Sequence, residues 1–159
     1  MLKLYVERMI RERGTIMGLV KAENVVDGQY SEQVKVCGSV EREADCLPAG
    51  KYRVCIGKCI YHHRKMPFLV PVDSSQCELC CKARHSHEFG DISAFASLPC
   101  AMIQPGNGPF TMGRGSILVG EVHAPGYVLK SHPLFTTLYE RIKKAVWRGN
   151  EVTLEIKEM

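Results

Sequence analysis

The sequence lacks the two features that would direct it into a membrane or through one. No apolar run approaches the ~20 residues that a helix needs to cross a bilayer. Residues 1–13 alternate apolar with charged side chains and contain no h-region of a signal peptide. We therefore expect the chain to remain in the cytoplasm of the cell that makes it, unless lysis or a dedicated machine releases it.

A concentrated block of positive charge is also missing. The net charge of +4 is spread along the chain, and the longest basic block runs only from Arg141 to Lys144. Nucleic-acid-binding domains usually carry a concentrated basic stripe, so the sequence argues against nucleic acid as a partner. The glycines of residues 103–120 fit neither spacing of a phosphate-binding loop, and no Gly-Lys-Ser/Thr follows them. We expect no nucleotide site.

What is present is the composition of one globular domain. The 159 residues are 45% hydrophobic and 24% charged. Those fractions are ordinary for a globular protein, and the length suffices to bury a core. The chain has no internal repeat and no boundary, so we predict a single domain, 1–159, with a Cys/His-rich insertion at 73–97.

Alternating apolar and polar side chains predict several short strands. The segments with this pattern or with a short β-prone apolar run are 2–6, 15–20, 34–38, 52–56, 66–72, 100–104, 117–122 and 152–156. One helix, Ser131 to Arg148, is predicted between the last two. Ser131 is its expected N-cap, and Gly149 can close it in the left-handed conformation.

The predicted helix carries one apolar stripe, whose residues recur at spacing four and are Leu134, Leu138, Ile142 and Val146, widened by Phe135 and Ala145. Many short strands and one amphipathic helix are typical of the α+β class. We predict a mainly β fold: a small antiparallel sheet or barrel with one C-terminal helix and a terminal strand.

Several motifs in order carry a family resemblance. They are "DCLPAGKYRV", "MPFLVPV" and "MIQPGNGPFTMGRGSILVG", followed by a serine before the C-terminal helix. This sequence resembles domain-of-unknown-function family 5675, which occurs in bacteria and in phage-related gene sets. The similarity runs from Gly14 to Ile156, apart from residues 73–97. The family pattern contains a His and a Cys that are similar to those of L,D-transpeptidases, which cross-link peptidoglycan through a cysteine thioester.

The resemblance implies a degenerate site. The position that matches the family's His is Gln104, and the position that matches its Cys is Ser116. Glutamine cannot exchange a proton at neutral pH, and a serine without a base is a poor nucleophile. Gly106 and Asn107 would line the pocket between them. We therefore interpret the chain as a pseudoenzyme: a non-catalytic binding or structural protein on a cell-wall-enzyme-like scaffold, with a cell-wall peptide or a protein as partner.

Two other functions stay open. The first is a peptidoglycan-directed enzyme of transpeptidase or amidase type that uses other residues, such as His123 as a base for Ser116, or the thiol of Cys100. The second is a zinc-stabilised interaction module. Activity on purified peptidoglycan separates the first from the pseudoenzyme, and metal analysis separates the second.

The zinc hypothesis depends on "CELCCKARHSH", residues 77–87. Cys77 and Cys80 have the spacing with which two thiolates bind one metal ion, and His85 and His87 could complete a structural zinc site. Only four residues separate Cys80 from His85, which is tight for four ligands on one ion. A mobile loop with unbound thiols and a redox pair, Cys77–Cys80, are the alternatives. Without a secretion signal, we expect the eight cysteines to be thiols or metal ligands rather than disulfides.

Overall fold

A computed structural model describes residues 1–26, 28–30, 32–59, 62–72, 101–108 and 113–159. These residues form ten strands, one α-helix and one short 3-10 turn, Glu43–Asp45. The strands before the helix are β1 (Leu2–Glu12), β2 (Thr15–Val26), β3 (Gln29–Tyr30), β4 (Val34–Arg42), β5 (Gly50–Cys59), β6 (Arg64–Pro71), β7 (Ile103–Gln104), β8 (Ile117–Ala124) and β9 (Tyr127–Leu129). The helix is α1 (Ser131–Trp147), and β10 (Val152–Glu158) follows it.

The strands form one curled sheet. Its order is β6-β5-β10-β1-β2-β4-β8-β7, with β3 beside β2 and β9 beside β8. Neighbours are antiparallel, except that β1 runs parallel to β10 and β7 parallel to β8. The sheet is an open half-barrel. Its two ends approach each other where Leu69 N–H donates to the carbonyl of Ala101 (2.9 Å) and Phe68 bridges Met102.

The main core lies between α1 and one face of the sheet. Leu4 and Val6 of the central strand β1 belong to the same buried cluster as Leu138 and Ile142 of the helix. Strand alternation places Leu4 and Val6 on one face of the sheet. Burying each such side chain stabilises the fold by about 1.5–3 kcal/mol. Since Leu138 and Ile142 are fully buried, the predicted packing of the helix is confirmed.

The helix begins and ends in left-handed backbone. Lys130 precedes it at φ 54°, and the Leu134 N–H donates to the Lys130 carbonyl. At the other end, Gly149 has φ +77° as predicted. The N–H of Gly149 donates to Val146 O, and that of Asn150 to Ala145 O. These two bonds form a Schellman motif, which satisfies two of the carbonyls left over at a helix end.

Two details of the helix differ from the prediction. Ser131 is its first residue rather than its N-cap, because the hydroxyl of Ser131 is engaged with the neighbouring loop. Val146 is 37% exposed, because it lies in the last turn, beyond the buried residues of the stripe. Phe135 and Tyr139 supply buried surface instead, and their rings stack with centroids 5.7 Å apart.

The first two strands are longer than predicted, at 11 and 12 residues. Lys21 and Glu7 form an ion pair at 2.9 Å across the two strands. The register shifts after Arg8, which marks a β-bulge at Met9. Opposite this region, Gly18 is required: a Cβ there would lie 2.2 Å from the carbonyl oxygen of Glu7.

The predicted fold class is confirmed: the protein is mostly β, with one helix near the C-terminus and a terminal strand. In the described part of the chain, the sheet has ten strands. No helix in the described part of the chain is long and apolar enough to span a bilayer. The insertion at 73–97 lies outside the described residues, and the single-domain assignment stays a prediction.

Candidate functional site

The parallel pairing of β7 with β8 brings the two motif positions to neighbouring strands. Ile103 pairs with Ile117, and Gln104 pairs with Leu118. Ser116 immediately precedes β8, so it lies two residues along the chain from the direct partner of Gln104. Gln104 and Ser116 therefore lie close to each other on adjacent chain segments, while the pocket predicted between them stays a prediction.

The hydroxyl of Ser116 is used to hold backbone. Ser116 is 1% exposed, and its Oγ accepts a hydrogen bond from the N–H of Met102 at 3.2 Å. The backbone N–H of Ser116 in turn donates to Gly113 O at 3.2 Å. Among the described residues, no His, Asp or Glu side chain accepts the hydroxyl proton. Ser116 thus ties the start of β8 to Met102, the residue directly before β7.

The side chain of Gln104 ties down the far end of the same loop. Gln104 is 2% exposed, and its Oε1 accepts a hydrogen bond from the N–H of Gly113 at 3.0 Å. Its Nε2 donates to the carbonyl of Pro105 at 3.4 Å. A neutral amide suits this position because it accepts and donates at once without the cost of burying a charge. The arrangement fixes loop geometry and holds no group that could take up a proton.

Gly106 and Asn107 contact their neighbours through the backbone. The N–H of Gly106 donates to Ser131 Oγ at 2.9 Å, and Ser131 Oγ donates to the carbonyl of Val119. The carbonyl of Asn107 accepts from the N–H of Val128 at 3.1 Å. The loop is thus joined to β8, β9 and the first turn of α1. Sequence reasoning missed this role of Ser131, although its place before the helix is part of the motif order.

The two substitute catalytic residues gain no support from the structure. His123 lies seven residues beyond Ser116, within β8, so the strand carries its backbone about 20 Å away. Cys100 lies outside the described residues. A general base must come within hydrogen-bond distance of its nucleophile. This separation along the strand argues against His123 as the base for Ser116.

The proposed metal ligands Cys77, Cys80, His85 and His87 all lie outside the described residues, so the zinc hypothesis stays a prediction. In the part of the chain that the structure describes, no three His, Cys, Asp or Glu side chains are grouped to hold a metal ion. The expectation that the cysteines are thiols or metal ligands is wrong for Cys55, which is disulfide-bonded. Disulfides depend on Cβ distances in the fold, which sequence spacing does not give.

A second polar cluster, which sequence reasoning missed, surrounds Arg8 in β1. Arg8 donates from Nε and Nη2 to the two carboxylate oxygens of Glu41 at 2.9 and 2.8 Å. It also donates from Nη1 to Glu158 at 2.9 Å and from Nη2 to Leu47 O. Arg8 and Glu41 are both buried. The alternation Leu4, Val6, Arg8 could have shown that Arg8 faces the core, but not which acid meets it.

Hydrogen bonds within this cluster favour the charged forms of Arg8 and Glu158. Burial lowers the pKa of Arg8, but the hydrogen bond and charge of Glu41 outweigh burial and leave that pKa raised. Hydrogen bonds from Arg11 and then Arg8 lower the pKa of Glu158 to about 2. Through its hydrogen bonds to Glu41 and Glu158, Arg8 joins β1 to β4 and β10, and the cluster is structural rather than reactive.

A groove of about 240 Å³ lies where β5, β10 and β1 meet. Its charged and aromatic lining consists of Lys3, Tyr5, Lys51, Glu151 and Glu155. Tyr5 pairs with Glu155, and Glu155 pairs with Lys51, so these three side chains form one row across three strands. Side chains in such a row share one face of the sheet. The groove therefore carries both ammonium and carboxylate side chains.

Comparison with known proteins adds no relative. No family model, no curated protein and no solved structure matches the chain. The resemblance to family 5675 therefore stays a prediction, as does every function that it implies.

Proposed function

We propose that the protein is a non-catalytic binding or structural protein, on a cell-wall-enzyme-like scaffold in which Gln104 and Ser116 hold a loop. The observation that carries this proposal is that both side chains are at most 2% exposed and hydrogen-bond to backbone. A catalytic serine needs an accessible hydroxyl with a base beside it. Ser116 offers its oxygen to Met102 instead, which supports a structural use of the motif positions.

The groove at β5, β10 and β1 is the surface we propose for binding. Its lysines and glutamates suit a ligand that carries both a carboxylate and an ammonium group, as short peptides do. Lys51 contributes an exposed positive charge, and Glu155 lies beside it in the paired strand. Charge complementarity of this kind contributes orientation and specificity more than affinity. A cell-wall peptide has the required chemistry.

Catalysis is tested by incubating the protein with purified peptidoglycan and analysing the soluble products by mass spectrometry. We expect no cleavage and no new cross-link from the wild type. Turnover that is abolished by Ser116→Ala would overturn the non-catalytic proposal in favour of a serine enzyme. Turnover that survives Ser116→Ala would overturn it in favour of an enzyme with another residue set.

Binding is tested by co-sedimentation with insoluble peptidoglycan. We expect the wild type to co-sediment and Lys51→Glu to weaken this binding, because the substitution reverses a charge of the groove. The matched control is Lys58→Glu, the same charge reversal at an exposed position of the same strand, outside the groove. Equal loss in both variants, or no co-sedimentation of the wild type, would refute the groove as a cell-wall-peptide site.

A further inference from the structure

The last two turns of α1 carry a basic surface that the proposed function does not use. Residues 141–148, here named the basic helix end, contain four cationic side chains and no carboxylate: Arg141, Lys143, Lys144 and Arg148. Their summed charge of +4 equals the net charge of the whole chain. Trp147, the only tryptophan of the chain, lies among them and is 76% exposed.

The four cations are not neutralised by the described residues. Ion pairs within the described part of the chain involve Arg8, Arg11, Lys21, Arg42 and Lys130, and none involves the basic helix end. Lys143 instead places its Nζ 4.7 Å from the centre of the Trp147 ring. The basic helix end therefore surrounds an exposed aromatic ring with cationic side chains that form no ion pair in the described part of the chain.

Helix stability alone does not explain this surface. Cations near a helix C-terminus interact favourably with the helix dipole, by about 0.3–1 kcal/mol each, which accounts for Lys144 and Arg148. The dipole gives no reason for an exposed indole at Trp147, because a tryptophan stabilises a fold mainly by burying its large apolar surface. An exposed aromatic ring within a cationic surface matches the composition of sites that bind single-stranded nucleic acid.

We infer that the basic helix end binds single-stranded nucleic acid without sequence preference. A base stacks on Trp147, and neighbouring phosphates lie against Lys144 and Arg148. Lys144 and Arg148 are four residues apart, so they lie side by side on the helix with Cβ atoms about 5–6 Å apart. Stacking on an aromatic ring contributes about 1–3 kcal/mol per base. The sequence argued against nucleic acid because its basic block is short, but Trp147 and Arg148 extend that block on the folded helix.

An anionic membrane is the less favoured partner. A helix that lies in a membrane interface needs a free apolar face. The apolar face of α1 is already occupied, since Phe135, Leu138 and Ile142 are buried in the core. Only Val146 and Trp147 remain exposed as large apolar side chains of the described helix. Two residues offer little insertion, whereas a single ring is sufficient for stacking.

Because Trp147 is the only tryptophan of the chain, its fluorescence reports binding at this site directly. We would titrate the full chain with a thymidine 15-mer and follow tryptophan fluorescence at several salt concentrations. We expect quenching with a Kd on the order of 10⁻⁴–10⁻⁶ M, the range of non-specific binding. If each of the four cations of the basic helix end contacts one phosphate, the slope of log K against log salt should be about −3, at about −0.7 per contact for a single strand. No quenching at low salt would overturn the inference.

Charge variants locate the site. Lys144→Gln with Arg148→Gln should weaken binding at least about tenfold at low salt and reduce the slope to about −1.4, because two phosphate contacts are lost. The control is Lys58→Gln with Lys65→Gln, which removes the same charge from two exposed residues paired across β5 and β6. We expect wild-type binding from this control. Equal weakening in both double variants would show general charge attraction and overturn the assignment.

Two further arms complete the test. The affinity of Trp147→Ala is measured by the fluorescence anisotropy of a labelled 15-mer. It should be at least about fivefold lower than that of the wild type, which corresponds to the lower end of the stacking contribution. Unchanged affinity would overturn the stacking role. Vesicles of phosphatidylserine and phosphatidylcholine should leave the fluorescence of the wild type unchanged. A blue shift with vesicles, together with no response to the 15-mer, would instead identify an anionic membrane. The groove is not part of this surface, so failure here leaves the proposed function standing.

Discussion

The buried ion pair of Arg8 and Glu41 offers the sharpest test of how this fold is held together. The two side chains are almost fully enclosed, and two hydrogen bonds of 2.8–2.9 Å join them. Glu41→Leu removes the carboxylate and leaves the guanidinium of Arg8 in the interior. Its remaining partners would be Glu158, which is partly exposed, and the carbonyl of Leu47.

The expected cost follows from the burial of the charge that remains. Removing one partner of a buried ion pair costs about 3–5 kcal/mol, because the other charge loses its compensation. That is a large part of the ~5–15 kcal/mol that stabilises an ordinary domain. With a slope of about 2 kcal/mol per molar urea, the unfolding midpoint should fall by about 2 M. Arg8→Met should cost a similar amount, since it leaves the buried carboxyl group of Glu41 without its partner.

The double variant Arg8→Met with Glu41→Leu separates the ion pair from the space it fills. Replacing a buried pair with apolar groups of similar size is often neutral. The Leu47 carbonyl loses a donor, at about 1–3 kcal/mol, so we expect stability within about 3 kcal/mol of the wild type. The control is Glu43→Leu, the same substitution at a half-exposed carboxylate, which should change little. Urea unfolding measures all four variants, and additive costs in the double variant would contradict the reasoning.

Three more predictions follow from the same structure. The lowered pKa of Glu158 means that its ionised form stabilises the fold above pH 4.5, and that this contribution is lost as the pH falls towards 2. The difference in the urea midpoint of unfolding between the wild type and Glu158→Gln should therefore shrink between pH 4.5 and pH 2. A difference that stays constant would contradict this prediction. Gly18→Ala should lower the free energy of unfolding by more than about 2 kcal/mol in urea, because the new Cβ would lie 2.2 Å from the carbonyl oxygen of Glu7. In the control Gly14→Ala, the new Cβ meets no atom, so only the strain of a positive φ is expected. The thiol introduced by Ser116→Cys should react with iodoacetamide far more slowly than the thiol introduced by Thr137→Cys, because position 116 is buried and position 137 is exposed. Peptide mass spectrometry measures both rates. Equal rates would show that position 116 is open to solvent.

The helix was predictable because its pattern is local. Leu138 and Ile142 face the core as their spacing indicates. A spacing of four advances 40° further than one full turn, since each residue turns the helix by 100°. A stripe at that spacing therefore winds off the buried face along the helix. Val146, the last member of the stripe, lies in the final turn and is partly exposed, while Phe135 and Tyr139 pack in the core.

The sheet was predictable as strands but not as an arrangement. The alternation of apolar and polar residues identifies both β1 and β10 as strands. It does not show that the two strands pair in parallel, because they lie at opposite ends of the sequence. The partner of Arg8 is equally non-local, since Glu41 lies 33 residues away on a strand that does not pair with β1. A strand pattern shows which face a charged side chain occupies. Its partner depends on the curl of the sheet.

The contacts of the loop between β7 and β8 could not be predicted either, because they too involve residues distant in sequence. Sequence motifs place Gln104 and Ser116 on one structural unit, but they do not show whether the two side chains face solvent or backbone. Nor do they show the role of Ser131, whose hydroxyl accepts from the Gly106 N–H and donates to the carbonyl of Val119, which joins the first turn of α1 to the start of the loop. Buried backbone groups need partners, and an amide and two hydroxyls supply them here without burying charge. A reactive His and thiolate in the same enclosed positions would leave these backbone groups less well satisfied. The polar residues that replace them are therefore the ones that a loop-holding role would favour.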